Sequence, residues 1–332
     1  MKTGVPEICA GRALLEPRVA ATPVSLSGER VAGIEQLRIA AAIGIVWFHT
    51  EGASYRTIGY AGLPVFLLVF FSLITLRDSA RPAAYFLRRR WNRLLRPWLF
   101  WSAVYGFCRL SKALYAANPT ELWETLSFQT LLAGTSIHLW YLPYAFVSGL
   151  LISEVNRRTR ENSHVVAAAV AATVGILTLT VSAVGMRDLR LPRPLPQWEF
   201  GLAAIPLGLA IGRCLRIQSR NLRRALLAGI GLAVLAESTV LGASGSGAMA
   251  VPYGIATTLV CIAYCREARS NSVVTALAPL TFGIYLVHPL VLYGLRCCLS
   301  SDGHYGLLIS LAVCVSALVT LVLMKTPVRR FL

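Results

Sequence analysis

The sequence predicts an all-α polytopic membrane protein with about ten transmembrane helices and with both termini in the cytoplasm. Of its 332 residues, 56% are hydrophobic and only 14% are charged, whereas a soluble protein carries about a quarter charged residues. Long apolar runs recur from one end of the chain to the other. Basic residues gather in alternate segments between these runs, which is the pattern of the positive-inside rule.

The apolar runs define ten candidate spans, several of them close to the lower limit of about 17 residues for crossing a bilayer. The spans cover approximately residues 33–50, 59–77, 95–116, 138–155, 164–185, 198–213, 223–242, 248–265, 277–298 and 305–325. Residues 1–32 are polar and contain no apolar core of signal-peptide length, which predicts a disordered cytoplasmic tail. The membrane domain is then expected at 33–328.

Loop charges set the orientation of these spans. With the N-terminus inside, the inner segments hold 24 basic residues and the outer loops hold seven. The net charge of +17 is therefore interpreted as a topology signal, and no nucleic-acid partner is expected. In this orientation Arg38 lies toward the inner face of the membrane and His49 toward the outer face.

The apolar stretch 35–51 carries Arg38 and His49 eleven positions apart. At about 100° per residue they share one helical face, roughly 16 Å apart along the axis. Glu35 is predicted to pair with Arg38, three residues later. Two interpretations stand side by side: a snorkelling arginine with an interfacial histidine, or two residues of one site, since ionisable groups inside a membrane usually face protein or a cavity. The second is favoured by the motifs that follow.

Two further stretches place histidines at a similar depth. His138-Leu-Trp-Tyr-Leu opens the fourth span, and residues 281–289 place Tyr285 and His288 one turn apart, just before Pro289. Because proline lacks an N–H, it frees a backbone carbonyl in the preceding turn. Three of the chain's five histidines thus fall in the outer half or middle of different spans, which predicts a shared polar cavity.

The inner segment 86–97 is the densest positive patch. It fits either a topology signal at the lipid headgroups or a clamp for the phosphates of a nucleotide-bearing cofactor. The eight cysteines form no CxxC motif and no Cys/His cluster with zinc spacing, so no metal site is expected. Asn118-Pro119 predicts the start of a short outer helix ending near Ala133, and the Gly/Ser-rich stretch 242–247 predicts a turn.

Together these motifs resemble the acyltransferase 3 family of integral membrane acyltransferases over about residues 33–328. The matching features, in chain order, are Arg38 with His49, Arg88 with Arg90, residues 138–142, the weaker stretch 201–213 and residues 283–289. The chain departs from the family pattern at Phe70-Phe71, where a Ser-Gly pair is usual, and at Lys325, where an acidic residue precedes the proline. The first departure puts either the close packing of the second span or the shape of the pocket there in question.

The resemblance implies transfer of an acyl group, often acetyl, from cytoplasmic acyl-CoA to a hydroxyl of a lipid-linked or surface polysaccharide at the bacterial cytoplasmic membrane. It implies that Arg88 and Arg90 hold the CoA phosphates and that His49 is the general base, since imidazole titrates near neutrality. Arg38 would bind the donor or stabilise an oxyanion. The acceptor pocket would be lined by His138, Trp140, Tyr285 and His288.

Three other classes remain open from the residues themselves. A transporter or flippase of a lipid-linked sugar would also line its path with histidines and arginines, but the chain shows no repeated halves. A glycan ligase or polymerase usually carries a large outer loop, and the longest one here is about twenty residues. A membrane scaffold would leave Arg38 and His49 without a role.

Overall fold

The computed structural model describes residues 28–77, 83–116, 127–159, 163–185, 191–266, 271–299 and 304–332, and these residues are helical with no β-strand. The α-helices of the described residues are α1 (Gly28–His49), α2 (Arg56–Tyr60), α3 (Gly62–Arg77), α4 (Ala83–Arg90), α5 (Arg96–Tyr115), α6 (Phe128–Ala133), α7 (Tyr141–Arg158), α8 (His164–Gly185), α9 (Leu195–Gly201), α10 (Ala204–Leu215), α11 (Arg220–Leu241), α12 (Gly247–Cys265), α13 (Ser272–Leu277), α14 (Thr281–Cys298) and α15 (Tyr305–Met324).

Two predicted segments, the N-terminal tail and the short outer helix, have boundaries that differ from those expected. Helix α1 begins at Gly28 rather than at residue 33, and the rest of the predicted N-terminal tail lies outside the described residues. A helix ends at Ala133 as predicted, but this helix, α6, begins at Phe128 after Ser127 in an extended conformation, so the predicted helix is not continuous from 118–121 to Ala133. Its expected start at 118–121 lies outside the described residues.

Within the described ranges, six helical segments are long and apolar enough to cross a membrane. They are Arg56–Leu76, His164–Gly185, Leu195–Leu215, Arg220–Cys265, Ser272–Cys298 and Tyr305–Met324. The 46-residue segment contains two helices, α11 and α12, which pack side by side about a turn at 242–246. Gly245 adopts φ 86° in this turn, a left-handed conformation that glycine adopts without a steric penalty. The chain is therefore a multi-pass membrane protein; ten spans and cytoplasmic termini remain predictions.

The outermost helices carry apolar side chains on their exposed faces. In α8 these side chains follow helical spacing along one stripe, formed by Val166, Val170, Val174, Leu177, Val181 and Val184. In α15 only 22% of the apolar window is buried inside the protein. A soluble protein would not leave such faces in water, and they suit contact with lipid.

Helix α1 lies at the centre of the bundle, in contact with α2, α3, α12 and α14. Its crossing with α2 depends on two glycines that face each other. A Cβ atom added at Gly44 would lie 2.8 Å from the carbonyl oxygen of Gly59, and one added at Gly59 would lie 2.6 Å from that of Gly44. Backbones can approach this closely only where side chains are absent, as is common in membrane helix pairs.

The structure answers the question raised by Phe70-Phe71. Helix α3 packs closely against α10, and the small residues at this contact belong to α10. A Cβ atom on Gly208 would lie 2.5 Å from the Cβ of Phe71, and one on Gly212 would lie 2.4 Å from that of Thr75. Phe71 is completely buried in the contact. Close packing of the second span is thus retained, with the glycines on the partner helix.

Candidate functional site

Three histidines from separate parts of the chain converge at one place. His49 is the last residue of α1, His288 lies in the middle of α14, and His138 lies in the short 3₁₀ helix Ile137–Trp140. The ring centroid of His288 is 5.1 Å from that of His49 and 5.6 Å from that of His138. His288 is therefore the centre of the cluster, and it is fully buried.

The proline that follows His288 determines how its ring is held. Pro289 has no N–H to donate to the carbonyl of Tyr285, four residues earlier. The Nδ1 atom of His288 lies 2.8 Å from that carbonyl oxygen and 3.2 Å from the carbonyl oxygen of Ile284. Since carbonyls only accept hydrogen bonds, Nδ1 carries the hydrogen, and in the neutral ring Nε2 carries the lone pair. This Nε2 atom has no hydrogen-bond partner among the described residues.

His138 is framed by two tyrosines and a serine. Its Nδ1 atom lies 2.8 Å from the hydroxyl of Ser136, and its ring centroid is 4.9 Å from that of Tyr105. The hydroxyl of Tyr285 donates to the backbone carbonyl of His138, and that of Tyr105 donates to the carbonyl of Leu286 at 2.8 Å. These bonds tie the 3₁₀ helix and α5 to α14 and fix His138 beside His288.

His49 is less buried than the other two histidines, and its backbone is held by cations at the end of α1. Arg296 donates to the carbonyl oxygen of His49 at 3.2 Å and pairs with Glu51 at 2.9 Å. Arg56 donates to the carbonyl oxygen of Phe48 at 2.7 Å. The last carbonyls of a helix lack partners within the helix, and positive side chains satisfy them. The two arginines therefore stabilise the helix end that carries His49.

Arg38 lies on the same helix, three turns earlier. It forms the predicted ion pair with Glu35, with an Nη1–Oε2 distance of 2.9 Å, which confirms that pairing. Its Nη2 atom also donates to the hydroxyl of Thr281 at 3.3 Å. Thr281 is the first residue of α14, so Arg38 links the two helices that carry His49 and His288 at a point three turns before His49.

A cavity of about 650 Å³ extends beside Arg38. Its charged and polar lining residues are Glu35, Arg38, Arg89, Arg90, Asn92, Arg93 and Arg330. Phe66, Phe70, Ile74 and Phe282 are among its apolar lining residues. The cavity reaches Ile45, one turn before His49, and Tyr285, one turn before His288. The ring of Tyr285 thus borders the cavity and also lies 5.7 Å from the ring of His138, so it stands between the cavity and the histidines.

The predicted site residues separate into two groups in the structure. His49, His138, Tyr285 and His288 lie together, and Arg38 and Arg90 line the cavity. Arg88 is exposed and is not among the residues lining the cavity. Trp140 is buried against Tyr144, with ring centroids 5.5 Å apart, rather than against the histidines.

The difference between Arg88 and Arg90 has a local structural cause. Helix α4 ends at Arg90 and runs into a π-helical turn, Trp91–Leu95, which leads into α5. Arg90 is only 8% exposed and donates to the hydroxyl of Ser153 at 2.7 Å. Side chains two residues apart on a helix point to nearly opposite faces. Only one of the two arginines therefore faces inward.

Three residues near the site were not singled out from the sequence. Thr281 opens the stretch that was recognised for Tyr285 and His288, but it carried no signal of its own. Arg330 lies in a basic segment that, by its sequence pattern, predicts only membrane topology. Tyr105 lies in an apolar span, and nothing in its local pattern distinguishes it from a packing residue.

A family model described as an acyltransferase domain, that of the acyltransferase 3 family, matches residues 31–325. No curated protein and no solved structure matches the chain. The matched region includes every predicted site residue and all the helices α2 to α15. The chain belongs to the acyltransferase 3 family and is a membrane acyltransferase.

Proposed function

We propose that the protein is a membrane O-acyltransferase that moves an acyl group, in the first instance acetyl, from acyl-CoA to a hydroxyl of a lipid-linked or surface polysaccharide. The proposed location is the bacterial cytoplasmic membrane, with the donor entering from the inner side. The observation that carries this proposal is the cluster of His49, His138 and His288 just beyond the end of an arginine-bordered cavity.

The cavity suits an extended donor with a charged end. Arginines bind phosphate through charge-assisted and often bidentate hydrogen bonds, and Arg89, Arg90 and Arg93 border the cavity near the turn that leads into α5. Beyond them the walls are mainly apolar and aromatic, as the uncharged pantetheine arm and the acyl group require. Arg88 points away from this space, so we assign the larger share of donor binding to Arg90.

Arg38 is proposed to contact the donor arm midway. Its separation from His49, roughly 16 Å of helical rise, is greater than one tetrahedral intermediate spans. Of the two roles considered from the sequence, donor binding therefore fits better than stabilisation of an oxyanion next to His49. The bonds from Arg38 to Glu35 and Thr281 hold its guanidinium group at the cavity wall.

His49 is proposed to act as the general base. It takes the proton of the acceptor hydroxyl as the oxygen attacks the thioester carbonyl, and the tetrahedral intermediate then expels the CoA thiolate, which receives that proton. The products are the O-acyl ester and free CoA. A route through acyl-histidine would give the same products in two steps. His138, Tyr285 and His288 surround the reacting hydroxyl, and Trp140 supports the wall behind them.

Transfer from labelled acetyl-CoA tests the proposal. The purified protein, reconstituted in phosphatidylcholine nanodiscs, receives [¹⁴C]acetyl-CoA and an extract of bacterial glycolipid and polysaccharide. We expect label in the glycan fraction that mild alkali releases, as it does from an O-ester. A sugar flippase would move the glycolipid without covalent labelling. Absence of label in the glycan, with full retention of acetyl-CoA, would contradict the proposed reaction.

A further inference from the structure

The segment after the last long helix returns to the cavity. Helix α15 ends at Met324, and a 3₁₀ helix follows at Pro327–Phe331. The hydroxyl of Thr326 accepts a hydrogen bond from the amide of Val328 at 3.2 Å and so caps this short helix. Arg330, within it, lines the same cavity as the arginines near the start of α5.

Contacts of the neighbouring Phe331 fix this segment on α5. The ring of Phe331 stacks on Phe100 with a centroid distance of 4.3 Å and an interplanar angle of 9°. The guanidinium carbon of Arg96 lies 5.0 Å from the centroid of the same ring. The carbonyl of Phe331 accepts a hydrogen bond from the indole of Trp101 at 3.1 Å. The position of Arg330 at the cavity is thus set by packing of the adjacent residue.

The charge of the cavity wall indicates an anionic ligand. Five arginines and one glutamate line it, and the glutamate, Glu35, is bonded to Arg38. Within the described part of the chain, Arg89 and Arg330 have no carboxylate within salt-bridge distance. Like charges brought together at one wall repel each other, and a ligand with several negative charges relieves the repulsion. CoA has such charges at two places, a 5′-diphosphate and a 3′-phosphate on the ribose.

Burial distinguishes the two phosphate positions. Arg90 is 8% exposed, whereas Arg330 is exposed. A donor that enters with its pantetheine arm first leaves the nucleotide, and with it the 3′-phosphate, nearest to the solvent. We infer that Arg330 binds the 3′-phosphate of the acyl-CoA donor and that Phe331 positions it. This inference rests on the proposed function. It adds a donor-binding residue that is far in the sequence from Arg38 and Arg90.

The test compares CoA with dephospho-CoA, which lacks only the 3′-phosphate. Calorimetry on the protein in phosphatidylcholine nanodiscs gives the ratio of the two dissociation constants for the parent, for Arg330→Gln and for Arg329→Gln. Arg329 is the matched control, because it is exposed and does not line the cavity. For the parent and the control we expect about tenfold preference for CoA, the size of one charge-assisted hydrogen bond. For Arg330→Gln we expect equal binding of both nucleotides, with the affinity for dephospho-CoA unchanged.

A preference for CoA that persists in Arg330→Gln would overturn the inference and leave the proposed function standing. Repeating the measurement with phosphatidylglycerol in the nanodiscs separates the two sources of phosphate. Thermal stabilisation of the parent by this lipid, lost in Arg330→Gln while the CoA preference persists, would assign Arg330 to a lipid headgroup instead. A parent that binds neither nucleotide would overturn the CoA donor itself, and the role of Arg330 with it.

Two substitutions of Phe331 test whether its ring positions Arg330. Phe331→Tyr keeps an aromatic ring for Phe100 and Arg96, so we expect the preference for CoA over dephospho-CoA to remain. Phe331→Ala removes the ring, and we expect the preference to fall toward one without a change in the affinity for dephospho-CoA. The same preference for CoA over dephospho-CoA in Phe331→Tyr and Phe331→Ala would contradict the positioning role.

Discussion

The imidazole rings of His49 and His288 lie 5.1 Å apart although they belong to helices at opposite ends of the chain. Apolar packing between the two helices sets this distance: Val46 of α1 belongs to the same buried cluster as Ile284 and Leu292 of α14. His288 in turn is held by backbone carbonyls of its own helix. The pair therefore combines a partly exposed imidazole with a buried one whose Nε2 lone pair is available.

If His288 acts through that lone pair, His288→Asn should separate its structural role from its chemical role. The asparagine amide can still donate to the carbonyl of Tyr285, as Nδ1 does, but it offers no basic nitrogen. We expect acyl transfer to fall by about 10²-fold, the lower range for loss of an acid–base group, with CoA affinity unchanged. His304→Asn, at an exposed position, should leave transfer unchanged. Full activity of His288→Asn would exclude a chemical role for this ring.

Pro289 is expected to lower the stability of the protein and to support its activity. Pro289→Ala restores an N–H that competes with His288 for the carbonyl of Tyr285. We expect a higher Tm, because proline inside a helix is unfavourable by about 3 kcal/mol, together with a lower kcat. Pro252→Ala is the matched control, since Pro252 also lies inside a helix, α12, and does not line the cavity. A fall in kcat of equal size in both variants would contradict the specific role of Pro289.

The backbone carbonyl of Tyr285 shows which part of the site could be predicted from the sequence and which part could not. The rule that proline removes a donor predicts an open carbonyl four residues earlier, and the structure has it at Tyr285. The rule does not say which group fills the space. That depends on the rotamer of His288, whose Nδ1 atom lies beside this carbonyl while its ring packs next to those of His49 and His138.

Helix geometry relates residues on one helix to each other but does not say which face packs against the rest of the protein. Arg38 and His49 share a face because they are eleven residues apart, and Arg88 and Arg90 take nearly opposite faces because they are two residues apart. Which of these two arginines faces inward depends on tertiary packing, where Arg90 reaches Ser153, and the sequence pattern gave no basis for choosing between them. Arg330 reaches the cavity through contacts of Phe331 with Phe100 and Arg96, which lie far away in the sequence.

Arg88 and Arg90 should contribute unequally to donor binding. Arg90 lines the cavity and bonds to Ser153, whereas Arg88 is exposed and outside it. We expect Arg90→Ala to weaken CoA binding by at least about tenfold, as removal of a charge-assisted phosphate contact does, and Arg88→Ala to weaken it less than threefold. Titration calorimetry with CoA measures both. A larger effect at Arg88 would contradict the assignment of the donor to this cavity.

The contact between α3 and α10 should not tolerate a methyl group at Gly208. Because the new Cβ would lie 2.5 Å from the Cβ of Phe71, Gly208→Ala forces the helices apart, at a cost of about 1–3 kcal/mol. We expect a Tm several degrees lower in detergent. Gly229→Ala places its methyl group in open space on α11 and should leave Tm unchanged or raise it. Equal Tm values for the two variants would show that the helices are not in close contact there.

If His49 is the base for acyl transfer, its removal should abolish labelling of the glycan. Membranes containing equal amounts of the parent, His49→Ala and His304→Ala receive [¹⁴C]acetyl-CoA, and the alkali-labile label in glycan is measured over time. We expect a loss of at least about 10²-fold in His49→Ala, with normal CoA affinity and with His304→Ala equal to the parent. Transfer by His49→Ala at the parent rate would show that His49 is not the base and would leave His288 and His138 as the candidates.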